Sequence, residues 1–301
     1  MSRWIELITL GTGGAFPGER RFTSSHVLRD WLGNIILLDS GEGVQIRLSK
    51  ASIPITRINA ILITHGHGDH VNGLPGLLQS MYLNSRRMPL AIVAPKDVIN
   101  FIEGALILEG SNLGFEVRLL EIKGSGNMQL FNQREDKLLL YWYETCHSRE
   151  SYGFVLEWNL RPRINKAEME RLGIRPGPHV GKMLFNGNKE GLLVKLDPFR
   201  IAYTGDTRPC KKVVDGIKKS DVLLHESTFS EENREEAEEF CHSTGKGAAE
   251  EAISVSAKLL ILTHVSSRYE GYEAYEIERE ARKLFPRSVL AWDLARFRFT
   301  I

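Results

Sequence analysis

The chain has 301 residues, of which 42% are hydrophobic and 26% charged, as is ordinary for a globular protein with a large core. Its 39 basic and 38 acidic residues leave a formal net charge of +1, so global charge gives no argument for a nucleic-acid partner, although a local patch could. No run approaches the roughly 18 to 20 apolar residues that cross a bilayer, and the first residues lack the apolar region of a signal peptide. We therefore expect a cytoplasmic protein.

The three cysteines are Cys146, Cys210 and Cys241. They form no CxxC pair and show no spacing typical of a disulfide framework, which fits a reducing compartment. We expect each of them to be simply a small buried residue.

The first predicted elements are two apolar strands. Residues 5–10 form the first and enter the glycine-rich turn 11–14, which is a weak phosphate-binding signal because no helical pattern follows it. Residues 34–38 are continuously apolar and predict a strand buried on both faces. This strand ends at Asp39, and a helix begins at Val44.

The next strand, residues 59–63, is followed by a heptapeptide rich in metal-ligand side chains. Histidine is the commonest metal ligand near neutral pH, and carboxylate oxygens suit the same divalent ions. Glycines at positions 66 and 68 let the backbone turn tightly enough to aim neighbouring side chains at one point. The spacing favours a metal site over a histidine-rich surface loop. The candidate ligands are His65, His67, Asp69 and His70.

Helical and strand patterns then alternate as far as a second histidine motif. Apolar residues recur at helical spacing over 74–83 and 98–108. Strands are predicted at 90–94, 115–122 and 137–143, and the last of them leads to His147. A lone histidine at a strand end is usually structural, so its own position does not make it a ligand.

A less regular, basic segment follows at residues 158–189, which we call the arm. Seven basic residues against two acidic ones leave an excess of five positive charges. Only residues 166–172 show a short helical pattern. Composition alone leaves two readings open, a solvated loop with a helical turn or a protruding arm that grips phosphates.

Four further strands are predicted at residues 192–196, 199–203, 222–224 and 259–262. The last three end close to Asp206, the pair His225 and Glu226, and His264. Helices are predicted at residues 231–239, with Ser230 as N-cap, at 247–257, with Ser243 or Thr244 as cap, and at 272–284. Short strands follow at 289–292 and 297–300.

Metal-ligand side chains thus recur at the carboxyl ends of strands, the edge where sites assemble in α/β proteins. A tetrahedral zinc site uses three or four protein ligands, so the number of candidate ligands is too large for one ion and suits two. Two metals about 3.5 to 4 Å apart can clamp both the attacking and the leaving oxygen of a displacement. Manganese or iron would fit the ligand chemistry, but imidazole-rich sites most often hold zinc. The candidates are His65, His67, Asp69, His70, His147, His264 and, as bridging carboxylate, Asp206.

The heptapeptide fits the HxHxDH signature of the metallo-β-lactamase superfamily, and further motifs resemble its ribonuclease Z family. Matches in order run from residue 7 to residue 293, nearly the whole chain. HxHxDH identifies only the superfamily, whereas the paired HEST and HST stretches and SSRY are typical of the narrower family. The matching segments are 10–17 with 24–25, 38–43, 203–209, 225–229 with 242–245, and 262–264 with 266–269.

The resemblance implies an αββα metallo-β-lactamase sandwich, a single domain over residues 1–301 with a protruding exosite arm at 158–189. It also implies a zinc-dependent endoribonuclease that cuts precursor tRNA at the 3′ side of the discriminator region. The products would be a tRNA with a 3′ hydroxyl and a trailer with a 5′ phosphate. Family members are expected to be homodimers in which one subunit's arm, with its Gly177–Pro178 pair, binds the tRNA elbow and presents RNA to the other's site.

The same resemblance implies a role for each site residue. His65, His67 and His147 would hold one zinc ion, Asp69, His70 and His264 the other, with Asp206 bridging the two. Asp69 would also orient or deprotonate the attacking water. His242, paired with Glu226, would protonate the departing 3′ oxygen, although His242 could instead be only a neighbour of a helix cap.

Three departures from the family pattern leave the ligands intact but put fine substrate preference in doubt. Gly66 replaces a bulkier residue, Ser227 stands where alanine is usual, and Arg21–Phe22 replaces Arg-Asn. Two alternatives stay open, another hydrolase of the fold acting on small phosphodiesters or esters, and a non-catalytic RNA-binding protein. The second is disfavoured because all seven ligands and the His242/Glu226 pair are present.

Overall fold

The computed structural model describes residues 3–108, 113–133, 136–175, 177, 180, 191–269 and 271–301. Within these ranges two seven-stranded sheets are present. The first has the order β16-β1-β2-β3-β4-β5-β6. Its strands are β1 (Trp4–Gly11), β2 (Ser25–Asp30), β3 (Ile35–Leu38), β4 (Ala60–Leu62), β5 (Leu90–Ala94), β6 (Val117–Glu121) and β16 (Ala295–Thr300).

The second sheet has the order β15-β14-β13-β12-β9-β8-β7. Strands β3 to β6 of the first sheet are parallel to one another, as are strands β12 to β15 of the second sheet. The remaining strands of each sheet pair antiparallel. Because β9 is antiparallel to both β8 and β12, strands β8, β12, β13 and β14 all run in one direction. The strands of this sheet are β7 (Gly126–Gln133), β8 (Asp136–Glu144), β9 (Tyr152–Asn159), β12 (Phe199–Tyr203), β13 (Val222–Glu226), β14 (Leu259–Thr263) and β15 (Ser288–Leu290).

Three apolar cores join the layers. The central core lies between the sheets and contains Leu38 and Leu62 of the first sheet and Leu140 and Leu224 of the second. The outer face of the first sheet packs on helices α1, α3 and α4. The outer face of the second sheet packs on helices α6, α8 and α9. The helices are α1 (Val44–Lys50), α2 (Gly68–Val71), α3 (Leu74–Leu83), α4 (Lys96–Leu108), α5 (Lys166–Arg171), α6 (Lys211–Ile217), α7 (Arg234–Glu239), α8 (Gly245–Ser254) and α9 (Ala274–Leu284).

The layer order is therefore helix, sheet, sheet, helix, as expected for the αββα sandwich. Most predicted elements are present within one or two residues of the expected bounds. Strands β2, β7 and β9 were not predicted. In β2 and β7 no apolar run exceeds two residues, whereas β9 has the apolar run 154–156, which the prediction missed. Among the described helices, none combines the length and the apolar character needed to cross a bilayer.

Two helix starts test the capping predictions. The Thr244 side chain accepts a hydrogen bond from the Gly247 amide at 3.1 Å and caps α8. The Ser230 prediction is wrong, because its hydroxyl donates to the Asn233 side chain and a 3-10 turn, Glu231–Asn233, precedes α7.

The prediction that each cysteine is a small buried residue is wrong for all three residues. Cys146 and Cys210 form a disulfide, and both are only half-buried, as is the free Cys241. The partners are 64 positions apart in the chain, so no local spacing could indicate the pairing. Cysteine usage therefore gives no support for a reducing compartment.

The described part of the arm carries a short ribbon and a helix. Strands β10 (Arg163–Ile164) and β11 (Leu193–Val194) pair antiparallel, and Asn165 caps α5. Met169, Val180 and Leu192 form a small separate core. Trp158 and Asn159 belong to β9. Residues 176, 178, 179 and 181–189 lie outside the described residues, and with them Pro178, Lys182 and Lys189.

Candidate metal centre

The predicted ligands meet at one edge of the sandwich, beyond the carboxyl ends of the strands. The first sheet supplies the heptapeptide after β4, including Asp69 and His70 in the short helix α2. The second sheet supplies His147 after β8, Asp206 after β12 and His264 after β14. Because β8, β12 and β14 run in one direction, their carboxyl ends present side chains to the same space, where they meet the heptapeptide after β4.

The first group of ligand atoms contains His65, His67, His147 and Asp206, all within 4.8 Å of one another. His67 Nδ1 lies 3.0 Å from His65 Nε2 and 3.1 Å from His147 Nε2. Asp206 Oδ2 lies 3.6 Å from His65 Nε2. Three imidazoles and a carboxylate match the ligand types of a zinc site.

The second group contains Asp69, His70, His264 and again Asp206, also within 4.8 Å. His264 Nε2 lies 3.3 Å from His70 Nε2 and 3.2 Å from Asp69 Oδ2. Asp206 Oδ1 lies 3.3 Å from Nε2 of both histidines. The two groups therefore share one carboxylate, with one oxygen directed at each.

These residues fit a pair of metal ions. The Asp206 carboxylate is buried, and its Oδ1 has no hydrogen-bond donor among the described residues. Buried polar atoms are rarely left unpaired, so this oxygen suits coordination of a cation. The facing imidazole nitrogens suit the same role, since neutral imidazole is the ligand form of histidine.

Burial and charge set the protonation of these ligands. Burial lowers the pKa of His65, His67 and His147, favouring their neutral forms. Burial would also lower the pKa of His70, but Asp206 and the other nearby carboxylates outweigh it and raise this pKa well above its ordinary value. Metal binding to His70 must therefore displace a proton.

Residues behind the ligands fix the imidazoles, and the sequence assigned no role to them. Asp39 Oδ2 lies 2.8 Å from His70 Nδ1 and accepts the Tyr203 hydroxyl at 2.6 Å, while Asp39 Oδ1 accepts the Thr64 amide at 2.8 Å. The Thr228 hydroxyl lies 2.8 Å from His264 Nδ1. Such partners set the tautomer and orientation of metal-bound histidines. The strand-end position of Asp39 was the available signal.

Another contact missed from the sequence holds Asp69. The Ala15 amide donates to Asp69 Oδ2 at 2.8 Å. Ala15 has a φ of 69°, a left-handed conformation that is uncommon for a residue other than glycine. The residue that follows the glycine-rich turn after β1 therefore contacts the second ligand group and holds the Asp69 carboxylate.

His242 and Glu226 form a pair beside the metal centre. His242 Nδ1 lies 2.8 Å from Glu226 Oε1, and the carboxylate also accepts the Thr207 amide at 2.9 Å and the Ser243 amide at 3.1 Å. Burial opposes protonation of His242, but the charge and hydrogen bond of Glu226 outweigh it and raise its pKa to about 9. The ring stacks on His264, with centroids 5.4 Å apart.

Comparison with known proteins gives full-length relatives. The chain is 43% identical to ribonuclease Z of Aeropyrum pernix, over 99% of each chain. It is 36% identical to ribonuclease Z of Geobacillus kaustophilus, over 97% of this chain and 98% of the relative. A family model described as Anti-Pycsar protein Apyc1 matches residues 5–161.

Solved structures similar to this chain include a tRNase Z and another protein of the metallo-β-lactamase fold. Human tRNase Z, short form, has a TM-score of 0.69 and 28% identity, over 97% of this chain and 98% of the human chain. The metallo-β-lactamase fold protein YhfI of Bacillus subtilis has a TM-score of 0.71 at 15% identity, over 99% of this chain and 100% of the other, and supports the fold alone. Residues 5–161 carry the pattern of the Apyc1 family model, and over its full length the chain belongs to the ribonuclease Z family.

Proposed function

We propose that this chain is a two-zinc endoribonuclease that removes the 3′ trailer from precursor tRNA. Membership of the ribonuclease Z family makes it an endoribonuclease with a metal cofactor. The observation that carries the finer proposal is the pair of ligand groups sharing Asp206, with the His242–Glu226 pair beside them. One carboxylate between two cation sites is the arrangement that a two-metal phosphodiesterase requires.

Seven side chains would hold the two ions. His65, His67 and His147 would bind one ion, Asp69, His70 and His264 the other, and Asp206 both. Bound divalent ions would supply positive charge beside the scissile phosphate and lower the pKa of nearby water. Imidazole-rich sites with carboxylates favour zinc over calcium or magnesium.

We propose that Asp69 would orient or deprotonate the attacking water. Its Oδ2 is held by the Ala15 amide, and none of the described residues donates to its Oδ1. We propose that His242, which lies beside the second ligand group, would donate a proton to the departing oxygen. In the metal-free protein the Glu226 carboxylate raises the pKa of His242 to about 9, which supports a protonated ring as the donor. The departing 3′ oxygen then leaves as a hydroxyl.

The arm is proposed to bind RNA away from the reacting bond. Arg161 and Arg175 have exposed side chains, whereas Arg171 is paired with Glu168 in α5. Contacts between arginine side chains and RNA phosphates would position the RNA without reading its sequence. We further propose a homodimer in which one subunit's arm serves the other's site. We place the reaction in the cytoplasm, where the precursor tRNA is made.

A competition between substrates tests this function. Zinc-loaded protein is given a 3′-extended tRNA transcript or bis(p-nitrophenyl) phosphate, and kcat/KM is measured for each. The proposal predicts a strong preference for the transcript and about two zinc ions per chain by metal analysis. A preference for the small phosphodiester would favour the alternative hydrolase, and less than one ion per chain after reconstitution would exclude the two-metal site.

A further inference from the structure

The disulfide joins two of the segments that carry proposed metal ligands. Cys146 directly precedes His147, and Cys210 lies four residues after Asp206. The two Cα atoms are 6.4 Å apart. Since His147 and Asp206 belong to the same ligand group, the covalent bond lies directly behind that group.

Hydrogen bonds connect the same two segments. The Cys146 amide donates to the Thr207 hydroxyl at 3.0 Å, and the Cys146 carbonyl accepts the Arg208 amide at 3.0 Å. The Thr145 hydroxyl donates to the Asp206 carbonyl at 3.1 Å. The disulfide therefore closes a ladder that fixes the His147 backbone against the Asp206 backbone.

The far side of the disulfide is anchored to the His242–Glu226 region. The Cys210 amide donates to Glu251 Oε1 at 2.7 Å, and Glu251 Oε2 lies 2.7 Å from Nε2 of His225. His225 is fully buried and directly precedes Glu226. By contrast, Ser148, Arg149 and Glu150 on the other side of His147 are exposed.

We propose that the Cys146–Cys210 disulfide is a positioning device for the metal centre. It holds His147 in place before a metal ion arrives, so that the first ligand group does not have to be assembled by the ion. A constraint of this kind lowers the entropy cost of binding, as other preorganised contacts behind metal ligands do. The inference rests on the proposed function only in taking these residues as metal ligands.

The bond also makes the metal centre sensitive to thiol chemistry. Forming it removes two protons and two electrons from the two thiols, and dioxygen or a small-molecule disulfide can accept the electrons. A dithiol such as dithiothreitol reverses the reaction and is itself oxidised to a cyclic disulfide. The protein therefore has an oxidised form with a fixed His147 and a reduced form with a freer one.

The experiment compares three samples without RNA. They are wild-type protein purified in air without reductant, the same protein reduced with dithiothreitol and desalted under nitrogen, and the variant C146S/C210S. Thiols are counted in denaturant, and Zn²⁺ and Co²⁺ are titrated into metal-free protein. The Ser variant separates loss of the bond from metal binding by the released thiolates.

The inference predicts one thiol, that of Cys241, in the air-purified protein and three after reduction. It predicts that the first ion binds the variant about 10- to 100-fold more weakly, with altered Co²⁺ absorption, while the second ion is little affected. Reoxidation of the reduced wild type with oxidised glutathione should restore the affinity. This control does not depend on how the variant folds.

Three thiols in the air-purified protein, or equal affinities in all three samples, would overturn the inference. Neither result bears on RNA cleavage, so the proposed function can stand while the inference fails. If the air-purified wild type binds no metal at all, both the inference and the proposed function are wrong.

Discussion

At the scale of single residues, the protonation of a site side chain depends on which charged group lies next to it. His242 faces a carboxylate that is fully buried and held by two backbone amides, so its charge cannot be screened by water. The cap of α8 is Thr244, which leaves the His242 ring free of a capping role. These contacts support the proposal that His242 is the proton donor.

Replacing His242 with alanine tests this assignment. We expect kcat on a precursor tRNA to fall by about 10² to 10⁴, because the 3′ oxygen loses its proton source. Bound zinc should be unchanged, because His242 is not among the seven proposed ligands. Single-turnover cleavage and metal analysis of the same sample measure both quantities. An unchanged rate would remove the role.

The His242–Glu226 pair also makes stability depend on pH. The pKa of His242 rises from 6.5 to about 9 on folding, so the folded metal-free protein binds this proton more tightly than the unfolded chain. The pair's contribution, about 3 kcal/mol at most, is full below pH 6.5 and is lost as the pH rises through 9. Urea unfolding of metal-free wild type and His242→Gln at several pH values should show a difference that shrinks in this window. A difference that grows with pH would contradict the raised pKa.

Gly66 departs from the family pattern, and the structure gives the reason. A Cβ atom at this position would lie 2.7 Å from Asp97 Oδ2. Arg149 bridges the two, donating to the Gly66 carbonyl at 2.9 Å and to Asp97 at 2.6 Å. This ion pair thus occupies the space that a bulkier residue would need.

We expect Gly66→Ala to lower the free energy of unfolding by about 1 kcal/mol or less, because the Asp97 and Arg149 side chains that it meets are part-exposed and their ends can shift. Gly104→Ala is the matched control, because a Cβ atom there meets nothing within 4 Å and alanine favours its helix. Urea unfolding of both metal-free variants gives the comparison. Equal effects would show that the Asp97 contact is unimportant.

At the scale of elements, prediction from sequence succeeded where a strand or helix has a clear local pattern of apolar residues. The apolar runs predicted β4, β8, β12 and β14, and the proposed ligands follow the carboxyl ends of these four strands. It failed where partners are remote in sequence. Cys146 pairs with Cys210, and Ala15 contacts Asp69 across 54 positions, so nothing near either residue indicates the contact.

The proposed RNA-binding role of the arm is tested by removing it. Replacing residues 161–195 with a short Gly-Ser linker removes the β10–β11 ribbon as a unit and spares the strands on either side. We expect KM for precursor tRNA to rise far more than KM for bis(p-nitrophenyl) phosphate, because only the tRNA reaches the arm. Steady-state kinetics on both substrates decides this. Equal rises would refute an RNA-binding arm.

At the scale of the whole molecule, the sandwich explains why ligands from distant parts of the chain converge. Each sheet buries one face in the central core, and this holds the strand ends of both sheets at one edge. His65 and His264 are 199 positions apart in the sequence, yet both follow strands that end there. Periodicity indicates the strands but not how two sheets stack. The strand-end ligand residues predicted a two-metal site, but the division of the ligands between two ions, with His147 among them, came from motif resemblance.

The most direct test of the central claim is cleavage of a 3′-extended tRNA transcript with both new ends mapped. We predict one cut at the 3′ side of the discriminator region, leaving a 3′ hydroxyl on the tRNA and a 5′ phosphate on the trailer. Removal of metal by a chelator should abolish the cut, and Zn²⁺ should restore it. A 2′,3′-cyclic phosphate product, scattered cuts, or full activity without metal would contradict the account.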